Sequence, residues 1–124
     1  MEESNDNIKK TILVAEDVES NFLLKALLGK TYNLLHAYNG SEAVEMFDNN
    51  QPDLILMDVK MPVMDGLEAT RIIRQKSTEI PIIALTAFAF DQDRIRVMEA
   101  GCNDFLTKPL SPPLLKETII KYLK

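Results

Sequence analysis

Four apolar runs in this chain stop on residue types that phosphoryl chemistry uses. Thr11-Ile12-Leu13-Val14-Ala15 stops at the acidic pair Glu16-Asp17, and Leu54-Ile55-Leu56-Met57 stops at Asp58. Ile82-Ile83-Ala84-Leu85 stops at Thr86, and the stretch Cys102 to Thr107 runs into Lys108-Pro109. In an open parallel sheet, ligands bind at the carboxyl ends of the strands, so these endings define one shared rim. Asp58 is the candidate nucleophile, since a carboxylate can attack phosphorus and form an acyl phosphate. Attack by an anion on an anionic donor is slow unless charge is neutralised, which a divalent cation held by neighbouring carboxylates achieves. Asp17 is the expected direct ligand, Glu16 a ligand through water, and the Lys60 carbonyl a further oxygen. An all-oxygen set favours magnesium or manganese over zinc. Lys108 supplies a point charge for a phosphoryl oxygen, and Thr86 a hydroxyl. Three adjacent carboxylates repel when no metal is bound, so magnesium is expected to stabilise the fold.

Each residue alone has a plainer explanation. An acidic pair after a strand commonly sits at a helix N-terminus, where negative charge is favoured. A single threonine or lysine is usually structural or solvated. It is the joint order, each residue at the end of its own strand, that carries the argument. Lone His36, in a mixed strand beside Tyr38, is expected to be packed or exposed rather than catalytic. The six methionines are expected core filler.

The elements that position these residues alternate strand and helix five times. Strands are expected at Thr11–Ala15, Tyr32–Tyr38, Asp53–Asp58, Pro81–Ala87 and up to Thr107, the third apolar on both faces as a central parallel strand should be. A helix from Val18 to Leu28 carries a broad apolar face of Phe22, Leu23, Ala26 and Leu27, with Gly29 at its end. Glu42 to Asn49 follows an Asn39-Gly40-Ser41 turn and cap. Leu67 to Gln75 has Arg71 and Arg74 outward. Asp91 to Ala100 ends at Gly101, and Ser111-Pro112 opens a last helix to Lys124 with Leu115, Ile119 and Leu123 on one face. Lys108-Pro109, at a strand-to-loop turn, is a candidate cis bond. The class is α/β: a doubly wound parallel sheet with helices on both faces.

At 124 residues the chain is one domain, with residues 1–10 a polar leader or linker end and 11–124 the folded unit. No apolar run approaches the ~20 residues of a membrane span, and the leader lacks a signal-peptide core. The single cysteine fits a reducing compartment, and Cys102, opening an apolar strand, is expected to be buried and inert. The net charge of −5 argues against a nucleic-acid-binding surface.

The motifs Ile12-Leu13-Val14-Ala15-Glu16-Asp17, Asp53 to Gly66 (DLILMDVKMPVMDG), Ile80-Pro81-Ile82-Ile83-Ala84-Leu85-Thr86-Ala87 and Lys108-Pro109 resemble those of the receiver domains of bacterial two-component response regulators. The resemblance covers Thr11 to Lys124. It implies a flavodoxin-like (βα)5 fold with strand order 2-1-3-4-5, the order general knowledge of doubly wound folds gives for this class. It implies that Asp58 accepts a phosphoryl group from a phosphohistidine. Asp17, Asp58 and the Lys60 carbonyl would hold magnesium, with Glu16 assisting, and Thr86 and Lys108 would bind the phosphoryl oxygens. Phe105 takes the aromatic switch position: phosphorylation draws Thr86 toward Asp58, and Phe105 turns into the vacated space.

Met61 to Thr70 and Thr86-Ala87-Phe88-Ala89-Phe90 look most like receivers of hybrid sensor histidine kinases, implying a cytoplasmic domain. The implied partner is a histidine kinase or a histidine phosphotransfer domain docked on the first helix at Val18, Asn21 and Phe22. Val18 departs from the asparagine common there. Phe88, two residues after Thr86, is expected to screen water from the acyl phosphate. By itself such a domain is no stand-alone enzyme, its chemistry being limited to gaining and losing one phosphoryl group. Two other classes compete: an interaction domain that has lost phosphorylation, and an aspartyl-phosphate phosphohydrolase. The complete acidic set with Thr86 and Lys108 argues against the first. Lys60, where the halo-acid-type enzymes carry a second acid, argues against the other. A nucleotide or flavin fold is weaker still, as no Gly-rich loop follows the first strand. Dimerisation is left open.

Overall fold

The computed structural model describes residues 9–87 and 91–123. Five strands, β1 (Thr11–Ala15), β2 (Asn33–Ala37), β3 (Leu54–Asp58), β4 (Ile82–Thr86) and β5 (Asp104–Thr107), form one sheet of order β2-β1-β3-β4-β5. All four pairings are parallel. The connecting helices are α1 (Val18–Leu28), α2 (Gly40–Asn50), α3 (Gly66–Lys76) and α4 (Asp91–Ala100), and α5 (Pro112–Leu123) ends the described chain. The α/β class and the order 2-1-3-4-5 match the expectation.

The strands are apolar on both faces because each face meets helices. Successive side chains alternate between two separate cores. Leu13, Ala15, Ile55, Met57, Ile82 and Ala84 pack with residues of α2, α3 and α4. Ile12, Val14, Leu54, Leu56, Ile83 and Leu85 pack with Leu24 and Leu28 of α1 and Leu115 and Ile119 of α5. A slip of one residue would exchange the two sets, so the hydrophobic pattern fixes the register and with it the height of every strand end.

Element ends differ from the sequence expectation by one or two residues, for local reasons. Tyr32 lies before β2 because its N–H is taken by Leu28 O at 3.0 Å. Tyr38 lies after it because its N–H goes to Glu42 Oε1 at 2.8 Å, while Asn39 Oδ1 caps α2 through Glu42 N. This reciprocal cap draws the chain out of the ladder. Cys102 is buried as expected but precedes β5 rather than opening it.

Two expectations about helix faces are corrected. In α1 the inward residues are Asn21, Leu24 and Leu28. The apolar set read as its face is instead mostly exposed, with Phe22 72% and Leu23 59% accessible. Arg74 of α3 does not point outward. Its guanidinium donates to Gly101 O (2.8 Å), Ser77 O (3.1 Å) and Asn103 Oδ1 (2.8 Å), and that same Asn103 oxygen accepts from Ile82 N. Arg74 thus ties the end of α3 to the turn after α4 and the start of β4. Gly66, at the start of α3, sits so close to β3 that an added Cβ would lie 1.9 Å from Asp58 O.

Two stability outcomes follow. Arg74→Ala, which strands several charge-assisted acceptors, should lose about 2 kcal/mol or more in urea unfolding, while Arg71→Ala on the same helix stays within about 0.5 kcal/mol. Gly66→Ala should cost about 1–3 kcal/mol, since the helix or Asp58 must move to admit the methyl group; an unchanged urea midpoint would contradict the close packing.

Candidate functional site

The sheet brings the predicted residues to one rim. β1 ends at Ala15, and the next residue, Glu16, stays in the ladder by donating its N–H to Ala37 O of β2 (3.1 Å). Its side chain is fully buried. Asp58 is the last residue of β3 and is 8% exposed. Thr86 ends β4, is buried, and its carbonyl accepts from Lys108 N at 2.8 Å, which anchors the residue after β5 to its neighbour strand. The Lys108–Pro109 bond is cis.

Lys108 crosses the rim. Its Nζ lies 2.9 Å from Glu16 Oε2 and 3.3 Å from Asp58 Oδ1, and it donates a hydrogen bond to Glu16 Oε1 at 3.2 Å. Asp58 Oδ1 also accepts from Lys60 N at 3.3 Å. Three strand ends therefore meet through one ammonium. Burial pushes the Glu16 carboxyl up to about 7, against the pull of the Lys108 hydrogen bond, and the Asp58 charge adds to the rise. Burial also works against the charge on Lys108, but Glu16 and then Asp58 outweigh it, so the ammonium is held above its ordinary value.

Asp17 is placed differently from its neighbour. It is exposed and caps α1, its Oδ1 accepting from Ser20 N at 2.7 Å. That backbone donor holds its carboxyl below the usual range. Among the described residues no three acids, histidines or cysteines stand close enough to make a metal cage by themselves. Magnesium does not need one: it keeps several waters and binds through one or two carboxylates. Glu16 Oε2, buried and without a hydrogen bond of good geometry, has the Lys108 ammonium beside it at 2.9 Å. The oxygen-only donor set fits magnesium.

Asp58, Thr86 and Lys108 line a cleft of about 370 Å³. Lys60, Met61 and Asp65 border it on one side and Asp93, Arg96 and Val97 of α4 on the other. Sequence reasoning did not anticipate the α4 wall, because exposed charges on a helix carry no signal of which loop they face. Phe105, on β5, is half-buried and packs against the α4-side core. The Arg94 guanidinium stands 5.2 Å from its ring centroid, a cation–π contact also missed, since an arginine on a helix carries no sign of the ring it covers on the next strand. Phe88 lies outside the described residues.

On α1, Val18 is 70% exposed, beside the exposed Phe22. Asn21, expected with them on the partner-binding surface, is buried at 2%. Its amide donates to Glu16 O (2.9 Å) and Ala37 O (3.2 Å), two inward carbonyls that turn the side chain away from solvent.

Residues 12–120 match the response regulator receiver domain family. The polar-differentiation response regulator DivK of Brucella anthropi is 38% identical over 118 residues, covering 92% of this chain and 96% of the relative. Among solved structures, the receiver domain of a sensor histidine kinase from Pseudomonas aeruginosa, with a magnesium ion coordinated in its active-site cleft, superposes with a TM-score of 0.86. It is 36% identical over 94% of this chain and 98% of that one. A second match is to a chain in the co-crystal structure of the Saccharomyces cerevisiae histidine phosphotransfer protein Ypd1 and the receiver domain of its downstream response regulator Ssk1. It has a TM-score of 0.87 and 32% identity over 92% of this chain and 88% of that one. By motif, fold and sequence alike, this chain belongs to the response regulator receiver domain family.

Proposed function

We propose that this chain is a phosphoacceptor signalling module in which Asp58 takes a phosphoryl group from a phosphohistidine on a partner protein. The observation that carries this reading is the Lys108 ammonium set between Asp58 and Glu16 at the ends of three strands. An Asp58 carboxylate oxygen attacks phosphorus and forms the O–P bond. The N–P bond breaks, its electron pair returning to the imidazole nitrogen, which takes up a proton. Lys108 then pairs with a phosphoryl oxygen instead of sharing its charge between two carboxylates, and the Thr86 hydroxyl donates to another.

Asp17, Asp58 and the Lys60 carbonyl are the residues that would hold magnesium, with Glu16 acting through water. The ion supplies neutralisation of the charge that builds up between nucleophile and donor. Its description in the Pseudomonas receiver's cleft supports this choice, and manganese meets the same donor requirements.

The donor is a histidine kinase or a histidine phosphotransfer protein, docked on the exposed edge of α1 through Val18 and Phe22. Leu23 extends this edge, and the apolar area would be covered by a partner helix. The Ypd1–Ssk1 co-crystal supports a phosphotransfer partner, and the sensor-kinase receiver supports a place within a hybrid kinase. The net charge of −5 disfavours direct contact with nucleic acid. No helix of the described residues is long and apolar enough to cross a membrane, and we place the domain in the cytoplasm. On phosphorylation, Thr86 moves toward Asp58 and Phe105 turns inward, releasing its contact with Arg94 and changing the face formed by α4, β5 and α5.

Intact mass after incubation with acetyl phosphate tests the chemistry. Wild type with magnesium should gain one phosphoryl group, and Asp58→Ala or chelated protein none. Lys108→Ala should slow the gain by roughly 10²–10³-fold. Gain by Asp58→Ala would move the acceptor elsewhere. Magnesium at tenfold its dissociation constant should stabilise the fold by about 1.4 kcal/mol; equal melting temperatures with magnesium and with chelator would remove the metal site.

A further inference from the structure

Asn21 and His36 form a polar chain that ends at the acidic pocket, and the reaction just described uses neither. Asn21 is 2% exposed. Its Nδ2 donates to Glu16 O, on the residue after β1, and to Ala37 O, on the last residue of β2. Those two bonds settle the amide's orientation, because a flipped amide would set its oxygen against two carbonyl oxygens. Oδ1 therefore faces the His36 ring, 2.6 Å from Nδ1. An amide oxygen is an acceptor only, so His36 carries its proton on Nδ1. The imidazolium has Nδ1–H as well, so the contact persists when the ring is charged.

The three hydrogen bonds join α1, β1 and β2 at one point. The carbonyl of Glu16 is clamped by Asn21, and Asn21 is itself clamped by His36. Without His36, Oδ1 loses its donor in a buried place and the amide keeps only its two Nδ2 bonds, which loosens the clamp on Glu16 O. Glu16 and Asp17 stand directly after β1, so a loose backbone there misplaces both carboxylates together. Partners behind the ligating groups of a metal site commonly set affinity by 10–100-fold.

We propose that His36 is a positioning residue for the cation site: acting through Asn21, it fixes the backbone that carries Glu16 and Asp17. The inference rests on the magnesium site proposed above. The whole chain, titrated with magnesium chloride and followed by the NMR shifts of its backbone amides, tests it. His36→Leu should weaken magnesium binding roughly 10-fold or more. His36→Asn, whose Nδ2 can take the place of Nδ1, should return near the wild-type affinity. Equal affinities for wild type and His36→Leu would overturn the proposal, as would a loss in His36→Asn as large as in His36→Leu. Should His36→Leu fail to fold, Asn21→Ser removes the clamp while leaving β2 unaltered and must show the same weakening; wild-type affinity there is equally fatal. Failure of the wild type itself to bind magnesium would instead sink the metal site, and this inference with it.

Discussion

Two carboxylates drawn into the interior of a small domain repel each other and lose their hydration, and here a single ammonium makes that arrangement tolerable. Lys108 lies within ion-pairing distance of both Glu16 and Asp58. It holds that position because its own N–H is bonded to the end of β4. The pair of acids is therefore under tension from the sheet's construction: burial raises Glu16 toward neutrality while Lys108 pulls the other way. A site of this kind is poised to exchange partners. In the function proposed above, an incoming dianion would take up the Lys108 charge now shared by two carboxylates, and a cation would neutralise the acids it leaves. Stability and reactivity come from the same unresolved charge balance.

Much of this was legible in the sequence because strands buried on both sides are nearly uniform in character. Leu54 to Met57 could only be a central strand, and the first charged residue after it, Asp58, had to lie at the rim. The same logic placed Glu16, Thr86 and Lys108. Strand order came from motif resemblance, since periodicity does not say which strands are neighbours.

The misses share a physical cause. α1 presents apolar residues around most of its circumference, so Phe22 and Leu23 look as buriable as Leu24 and Leu28, and no period singles out the inward side. What tips the helix is a polar residue: Asn21 turns inward because two strand-end carbonyls wait there, a demand invisible in the sequence of α1. Arg74 was read as outward for the converse reason. A charged side chain on a helix is normally solvated, and only the fold reveals Gly101, Ser77 and Asn103 around its guanidinium. Asp17, too, caps the N-terminus of α1, a role that residue type alone does not separate from metal ligation.

The alternation of the two cores has a further implication. α1, with its exposed edge, packs on the layer shared with α5, whereas α4 and Phe105 belong to the opposite layer. A sheet of five strands stands between them, and only its rim communicates with both. On the docking proposed above, substitutions on α1 reach α4 and Phe105 only across the sheet, whereas α5 meets them through the shared core of Leu24, Leu28, Leu115 and Ile119. A change of donor and a change of output are therefore separable at α4 and coupled at α5, the one helix that shares a core with the dock and belongs to the responding face.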